Sequence, residues 1–372
     1  EEDTTAADES EDASPSRRPV PARAPPPRGW PDEGELRSFL YDEWDYLNQT
    51  YLKGWCRVFE HKLTGDDVGF IRDVRRRHAV LAHQVKRRFG FIRPASWHRV
   101  HRVSDGEELE LDGVIEAIID RRSGQATDDR LYTRRDRALR DVAAAFLVDM
   151  SASTDFPVPD PDTKAAAPAA AGTAAEDFPY LYGGYGGAPD PAMQTPKRRV
   201  SDVAKESLAL MSDALVTLGD QHAIYGFSGD GRHKVEFHVA KDFDDRPGQR
   251  VWTSLAAIEP RRSTRMGPAI RHALTRLAHQ PARLKVLIII SDGYPEDHDY
   301  GPHRNDDEYG IQDTAQALRE AERQGVETFC VTIDPAGHDY LRRMCAPDRY
   351  LVIDDVSDLP AELSKVYRAL TV

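Results

Sequence analysis

Short apolar runs alternate with amphipathic segments from residue 140 to the end of the chain. The runs predicted to be strands are Val142–Val148, His222–Phe227, His233–Val239, Lys285–Ile290, Thr328–Ile333 and Tyr350–Ile353. The segments with helical spacing of apolar residues are Val200–Leu218, Met266–Ala278, Gln312–Gln324 and Leu359–Leu370. Lys285–Ile290 is apolar on both faces, as a central parallel strand must be. The pattern predicts an α/β domain over residues 140–372, with a doubly wound, mostly parallel sheet covered by helices on both faces.

The segment that precedes this domain has a different pattern. Residues 35–139 begin with a cluster of aromatic residues between Phe39 and Trp55. A helix is then predicted from about Asp66 to Gly90, and a second helix over Leu111–Arg122, where Gly124 provides the stop signal. We therefore predict a smaller, mainly helical region that packs on the α/β domain.

Two segments contain too few large apolar residues to form a core. Residues 1–34 are rich in proline, alanine and acidic residues, and are predicted to be a disordered tail or linker. Residues 156–197 are rich in proline, alanine and glycine, and are predicted to be a flexible insertion between the first strand of the α/β domain and its helix. Because the chain opens in low-complexity sequence and not with methionine, we expect a longer protein.

Composition narrows the class of protein. The formal net charge of −13 argues against nucleic-acid binding, and 30% charged residues suit a soluble protein. The three cysteines form no CxxC pair, which is typical of a reducing cytoplasm. The longest strongly apolar run, Val286–Ile290, is far shorter than the ~20 residues that span a bilayer. We expect a cytoplasmic protein that is not an integral membrane protein.

Candidate chemistry follows the first predicted strand of the α/β domain. Asp149, Ser151 and Ser153 occur at alternate positions, so in an extended segment their side chains point the same way. Thr264 directly precedes a predicted helix, and Asp292 follows the central apolar strand. Ligands of open α/β sheets collect at the carboxyl ends of the strands, so these groups are expected to meet. Carboxylate and hydroxyl oxygens favour Mg²⁺, with Mn²⁺ or Ca²⁺ as other candidates.

These three segments resemble the metal-ion-dependent adhesion site of von Willebrand factor A-type (VWA) domains, which have a Rossmann-like fold. The resemblance covers all five ligand positions: Asp149, Ser151, Ser153, Thr264 and Asp292. It implies an incomplete metal shell that is completed by an Asp or Glu carboxylate of another protein. No general base is committed to the site, so we expect a binding site and not an enzyme.

Three alternative interpretations fit the sequence less well. Asp149 could cap a turn, since DxS sequences occur by chance. A haloacid-dehalogenase phosphatase also has an aspartate after its first strand, but it needs a second aspartate where this chain has Ser151. A serine hydrolase would need GxSxG, and the segment around Ser228 lacks the second glycine.

Beyond the metal site, residues 39–371 without the insertion resemble the NorD/CbbO family of VWA proteins. The matching segments are Tyr41–Asp45, Leu147–Asp155, Ile224–Ser228, Lys241–Asp244, Thr264–His272, Cys330–Asp334 and His338–Leu341. The resemblance implies a non-enzymatic adaptor that couples a MoxR-type AAA+ ATPase to activation or assembly of a target metalloenzyme, such as nitric oxide reductase, or of rubisco. A metal-chelatase VWA subunit and a metal-dependent phosphatase remain the alternatives.

Overall fold

The alternating pattern folds into an eight-stranded sheet in a computed structural model that describes residues 37–90, 97–137, 141–158, 198–301, 306–334 and 337–371. The strands are β1 (Arg37–Asp45), β2 (Thr50–Lys62), β3 (Trp97–Val103), β4 (Glu108–Leu109), β5 (Tyr132–Arg137), β6 (Val142–Asp149), β7 (Gln221–Gly229), β8 (Val235–Lys241), β9 (Leu284–Ser291), β10 (Val326–Thr332) and β11 (Tyr350–Val352). The helices in the described residues are α1 (Phe70–Arg77), α2 (Ala79–Gly90), α3 (Leu111–Ser123), α4 (Val200–Leu218), α5 (Gln249–Ala256), α6 (Met266–Ala278), α7 (Asp307–Arg323), α8 (Gly337–Met344) and α9 (Leu359–Thr371). The tail over 1–34 and the insertion beyond residue 158 lie outside the described residues.

The strand order of the large sheet is β1-β2-β8-β7-β6-β9-β10-β11. Two of its neighbouring pairs, β1 with β2 and β7 with β8, are antiparallel, and the pairs formed by β6, β9, β10 and β11 are parallel. The prediction of a mostly parallel α/β sheet is therefore confirmed. The strands β3, β5 and β4 form a separate antiparallel sheet.

Strand β6 lies at the centre, and every one of its residues is buried. Its side chains alternate between two cores because successive residues of a strand point to opposite faces. Ala144, Phe146 and Val148 pack with α1, α2, α4, α5 and α9. Ala145 and Leu147 pack with α6, α7 and α8. Helices thus cover both faces, which explains why β6 and β9 carry continuous apolar runs.

The predicted mainly helical character of residues 35–139 was wrong for the start of that region. Apart from Tyr46 in the turn, its aromatic residues lie in β1 and β2, which pair as an antiparallel hairpin and extend the large sheet next to β8. Aromatic and β-branched residues favour a half-buried strand, and here Val58 and Phe59 reach the core. The predicted helix over 66–90 is two helices, α1 and α2, which are separated at His78.

Several predicted boundaries are confirmed. Helices α4 and α6 have the bounds expected from the sequence, and α3 ends at Gly124, which adopts the left-handed conformation that glycine favours. The short helices α5 and α8 were not predicted, since each has only eight residues. Across the described ranges, no helix has the length and apolar character that crossing a bilayer requires.

Candidate metal centre

The five predicted site residues lie at one edge of the large sheet. Asp149 is the last residue of β6, and Asp292 directly follows β9, the parallel neighbour of β6. Thr264 lies two residues before α6 begins. Because the carboxyl ends of parallel strands meet at the same edge, the fold brings the two carboxylates together although 143 positions separate them in the sequence.

Hydrogen bonds connect the side chains into one continuous group. Ser151 Oγ lies 2.8 Å from Ser153 Oγ, and Ser153 Oγ donates to Asp292 Oδ1 at 3.0 Å. The backbone N–H of Ser151 donates to Asp149 Oδ1 at 2.8 Å. The Thr264 hydroxyl also hydrogen-bonds to Asp149. The structure therefore brings all five predicted residues together.

The segment that carries Ser151 and Ser153 is fixed by backbone hydrogen bonds and by the packing of Met150 on β7. Its first residue, Met150, receives a hydrogen bond at its carbonyl oxygen from Arg261 N (2.5 Å), and Ala152 N donates to Arg262 O (2.8 Å). Beneath it, a Cβ atom at Gly226 would lie 2.2 Å from Met150 Sδ. Only glycine at this position of β7 leaves room for the methionine side chain.

Burial differs across the group. Asp149, Ser151 and Thr264 are 3%, 3% and 5% exposed, whereas Ser153 and Asp292 are partly exposed. The side facing Ser153 and Asp292 is therefore open to an incoming ligand, and the opposite side is closed by protein.

Both carboxylates of the site have raised pKa values. Burial raises the pKa of Asp149, against hydrogen bonds from Ser151, Ser291 and Thr264 that favour the charged form. Burial and then the nearby charge of Asp149 raise the pKa of Asp292 to about 7. A divalent cation between these groups would offset both the burial and the repulsion.

The donor set fits a hard divalent cation. Two carboxylates and three hydroxyls are all oxygen donors, and their two negative charges balance a 2+ ion. Among the described residues there is no cluster of three or more His, Cys, Asp or Glu side chains suited to a metal. A zinc site built from nitrogen and sulfur ligands is therefore not found in the described part of the chain.

Sequence reasoning missed two residues that bear on the site. Ser291 Oγ donates to Asp149 Oδ2 at 2.9 Å and so orients that carboxylate. Asp334, which lies just beyond the end of β10, adds negative charge near Asp292 and contributes to its raised pKa. The signal was available for both, since each lies at the carboxyl end of a predicted strand, as Asp149 and Asp292 do.

Comparison with known proteins finds a family match within the α/β domain. The sequence profile of the von Willebrand factor type A domain matches residues 197–366, which include Thr264 and Asp292. Asp149 lies upstream of the matched range, on the other side of the insertion.

Curated relatives match much more of the chain. The uncharacterized protein PA0525 of Pseudomonas aeruginosa is 31% identical over 88% of this chain and 46% of its own length. Protein NorD of Brucella melitensis is 30% identical over 91% of this chain and 48% of its own length. Protein NorD of Stutzerimonas stutzeri is 29% identical, with 84% and 44% covered. The chain spans about half the length of these relatives. Residues 197–366 of the chain therefore match the von Willebrand factor type A domain, and the chain as a whole is similar to NorD proteins over most of its length.

Proposed function

We propose that this chain is a non-enzymatic, metal-dependent adaptor that binds a carboxylate of a target protein. Asp149, Ser151, Ser153, Thr264 and Asp292 would hold Mg²⁺, or Mn²⁺ or Ca²⁺ in its place. The observation that carries the proposal is the convergence of these five oxygen-bearing side chains at one sheet edge, with Ser153 and Asp292 partly exposed. When bound, the cation supplies a positive charge that attracts an anionic oxygen.

The protein's own residues define what can bind. Asp149 is held by Ser151 and Ser291, so its carboxylate is fixed before a ligand arrives. Two carboxylates neutralise a divalent cation without giving the site a net negative charge, so the site does not repel a further acidic oxygen, which can fill the remaining coordination position. An Asp or Glu side chain on the surface of a partner is the simplest ligand of this kind.

The similarity to NorD proteins suggests the wider setting. We propose that the chain acts together with a MoxR-type AAA+ ATPase in the cytoplasm. It would bind a target metalloenzyme or rubisco while the ATPase supplies the force. A VWA subunit of a metal chelatase would use the same site, and its test is restored tetrapyrrole metallation in a reconstituted assay.

The first test is metal binding by the purified chain. Mg²⁺ at about 100 times its dissociation constant should stabilise the protein by about 2.7 kcal/mol, which raises the melting temperature. Asp149→Ala should abolish that rise. Asp348→Ala is the matched control, since its side chain is 80% exposed and lies outside the site, and it should respond as the wild type does. An equal rise in Asp149→Ala would refute the ligand assignment.

The second test concerns the partner. The immobilised chain should retain a MoxR-type ATPase and an acidic target in Mg²⁺, and Asp149→Ala or EDTA should release the target. Retention of the target in EDTA would exclude a metal-bridged carboxylate. Phosphatase activity that is lost in Asp149→Asn would instead support a metal-dependent hydrolase.

A further inference from the structure

A fully buried arginine lies next to the proposed metal ligand Thr264. The side chain of Arg265 has no exposed surface. Its guanidinium donates to Glu43 Oε2 from Nε (3.1 Å) and Nη2 (2.5 Å), and to Asp297 Oδ1 from Nη1 (2.9 Å). The ring of Tyr300 packs against it, with the centroid 4.3 Å from Cζ. A buried guanidinium needs matched charge and acceptors, so these contacts fix its position.

Asp297 connects this arginine to the loops around the proposed metal centre. Its Oδ2 accepts a hydrogen bond from Ser263 Oγ at 2.8 Å and from Gly231 N at 3.1 Å. The neighbouring Glu296 carbonyl accepts a bond from Thr264 N at 2.8 Å. Asp297 is therefore a buried carboxylate that connects three segments: the one before α6, the turn between β7 and β8, and the loop after Asp292.

The other carboxylate of this cluster comes from a distant part of the chain. Glu43 lies in β1, is 1% exposed, and accepts a further hydrogen bond from Cys56 Sγ of β2 at 2.9 Å. The β1–β2 hairpin lies outside residues 197–366, the range that matches the VWA domain. A segment outside that range thus anchors the residue that follows Thr264.

We propose that Glu43 and Arg265 are positioning residues of the metal centre. Through them the β1–β2 hairpin places the Thr264 hydroxyl and the loop after Asp292, and thereby sets the affinity for the cation. This inference rests on the proposed function for its metal readout. Residues that orient metal ligands typically change metal affinity by about 10–100-fold when they are removed.

Loss of stability alone cannot test this role, because breaking any buried ion pair is destabilising. The chain offers a matched control on the same hairpin. Glu60 of β2 is also a carboxylate with little exposure (7% for its side chain), and it pairs with His272 and Arg276 of α6, two turns or more from Thr264. Both substitutions to glutamine loosen the contact between the hairpin and the segment that contains α6, but only Glu43→Gln removes one of the two carboxylates that hold Arg265.

The experiment is calorimetric titration of Mn²⁺ alone into the whole chain. Glu43→Gln should bind Mn²⁺ about tenfold or more weakly than the wild type, and Glu60→Gln should bind it as the wild type does. Glu43→Asp, which keeps the charge, should recover part of the affinity and replaces Glu43→Gln if that variant does not fold. Unchanged affinity in Glu43→Gln, or an equal loss in Glu60→Gln, overturns the proposal.

Hydrogen–deuterium exchange without added metal separates this proposal from the proposed function. In Glu43→Gln, the amides of residues 263–265 and 296–299 should exchange faster than in Glu60→Gln. If the wild type binds no Mn²⁺, the proposed function fails and the exchange data alone decide the positioning role. Equal exchange of these loops in the two variants would show that Glu43 does not position them.

Discussion

At the scale of single residues, the position of the Ser151–Ser153 segment depends on the absence of a side chain at Gly226. Met150 packs against Gly226 of β7, and a Cβ atom on Gly226 would come within 2.2 Å of the methionine sulfur. Methionine is flexible, but Met150 is itself only 1% exposed and packs within the hydrophobic core, so its side chain has little free space to move into. A single methyl group would therefore push directly on the segment that carries two of the proposed ligands.

Gly226→Ala tests this clearance. Overpacking of a filled core typically costs about 1–3 kcal/mol, and we expect a loss of this size in the free energy of unfolding. Mg²⁺ affinity should fall as well, because Ser151 is displaced. The control is Gly248→Ala, where the nearest atom to the added Cβ is 3.8 Å away. Urea unfolding and metal titration measure both effects, and a Gly226→Ala protein that is as stable as the control would contradict the expected clash.

At the scale of elements, partly buried ion pairs attach the β1–β2 hairpin to α6. Glu60 accepts hydrogen bonds from His272 Nε2 at 3.2 Å and from Arg276 Nη2 at 2.5 Å. Tyr41 Oη adds a contact with His272 Nδ1 at 2.8 Å. Burial by itself would raise the pKa of Glu60, but these two partners lower it to about 2. The carboxylate therefore binds its proton more weakly in the folded than in the unfolded protein.

This shift gives the hairpin contact a defined pH dependence. A lowered pKa in the folded state stabilises the protein above the unfolded-state value of about 4.3, and the stabilisation is lost as the pH falls towards 2. We expect Glu60→Gln to reduce the free energy of unfolding by an amount on the order of 2 kcal/mol at pH 7. The difference in the free energy of unfolding between this variant and the wild type should narrow from about pH 5 to about pH 3.5, because the Glu60 carboxylate of the unfolded wild type becomes protonated in this range. Urea unfolding measures this difference, and a constant value across that pH range would contradict the predicted pH dependence.

At the scale of the whole molecule, the sheet is larger than the part that matches the VWA domain. Strand β2 covers the edge of β8, with Val58 paired to Val235 and Glu60 to Phe237. Cys56 and Val58 have no exposed surface, so the hairpin contributes to the core as well as to the sheet. Without it, β8 would become an open edge with unpaired backbone groups, which favours aggregation.

Truncation tests whether the hairpin is integral to the domain. A chain that begins at residue 141 keeps β6 to β11 and the five proposed ligands, but it loses the β1–β2 hairpin together with β3 to β5 and α1 to α3. We expect this fragment to aggregate, or to melt well below the whole chain and to bind Mg²⁺ more weakly. Light scattering and thermal unfolding measure this. If the fragment unfolds cooperatively at the same temperature as the whole chain, the hairpin is an accessory to the fold and not part of it.

Local sequence was sufficient for those features that depend on periodicity and on strand ends. The continuous apolar runs of β6 and β9 indicated a central parallel sheet, and the helical spacing gave α4 and α6 their bounds. The convergence of five residues could be predicted because parallel strands direct their carboxyl ends to one edge, whatever the details of packing: Asp149, Ser151, Ser153, Thr264 and Asp292.

Only the tertiary structure decided which distant segments pair. The aromatic residues of β1 and β2 become strands because β8 offers an edge and α6 offers partners for Tyr41 and Glu60, and neither can be known from local sequence. The same holds for Arg265: an arginine beside Thr264 would be expected in solvent, and it is buried because Glu43 and Asp297 converge on it from opposite parts of the chain. Periodicity is a local property, whereas the pairing of buried charges depends on contacts between residues more than two hundred positions apart.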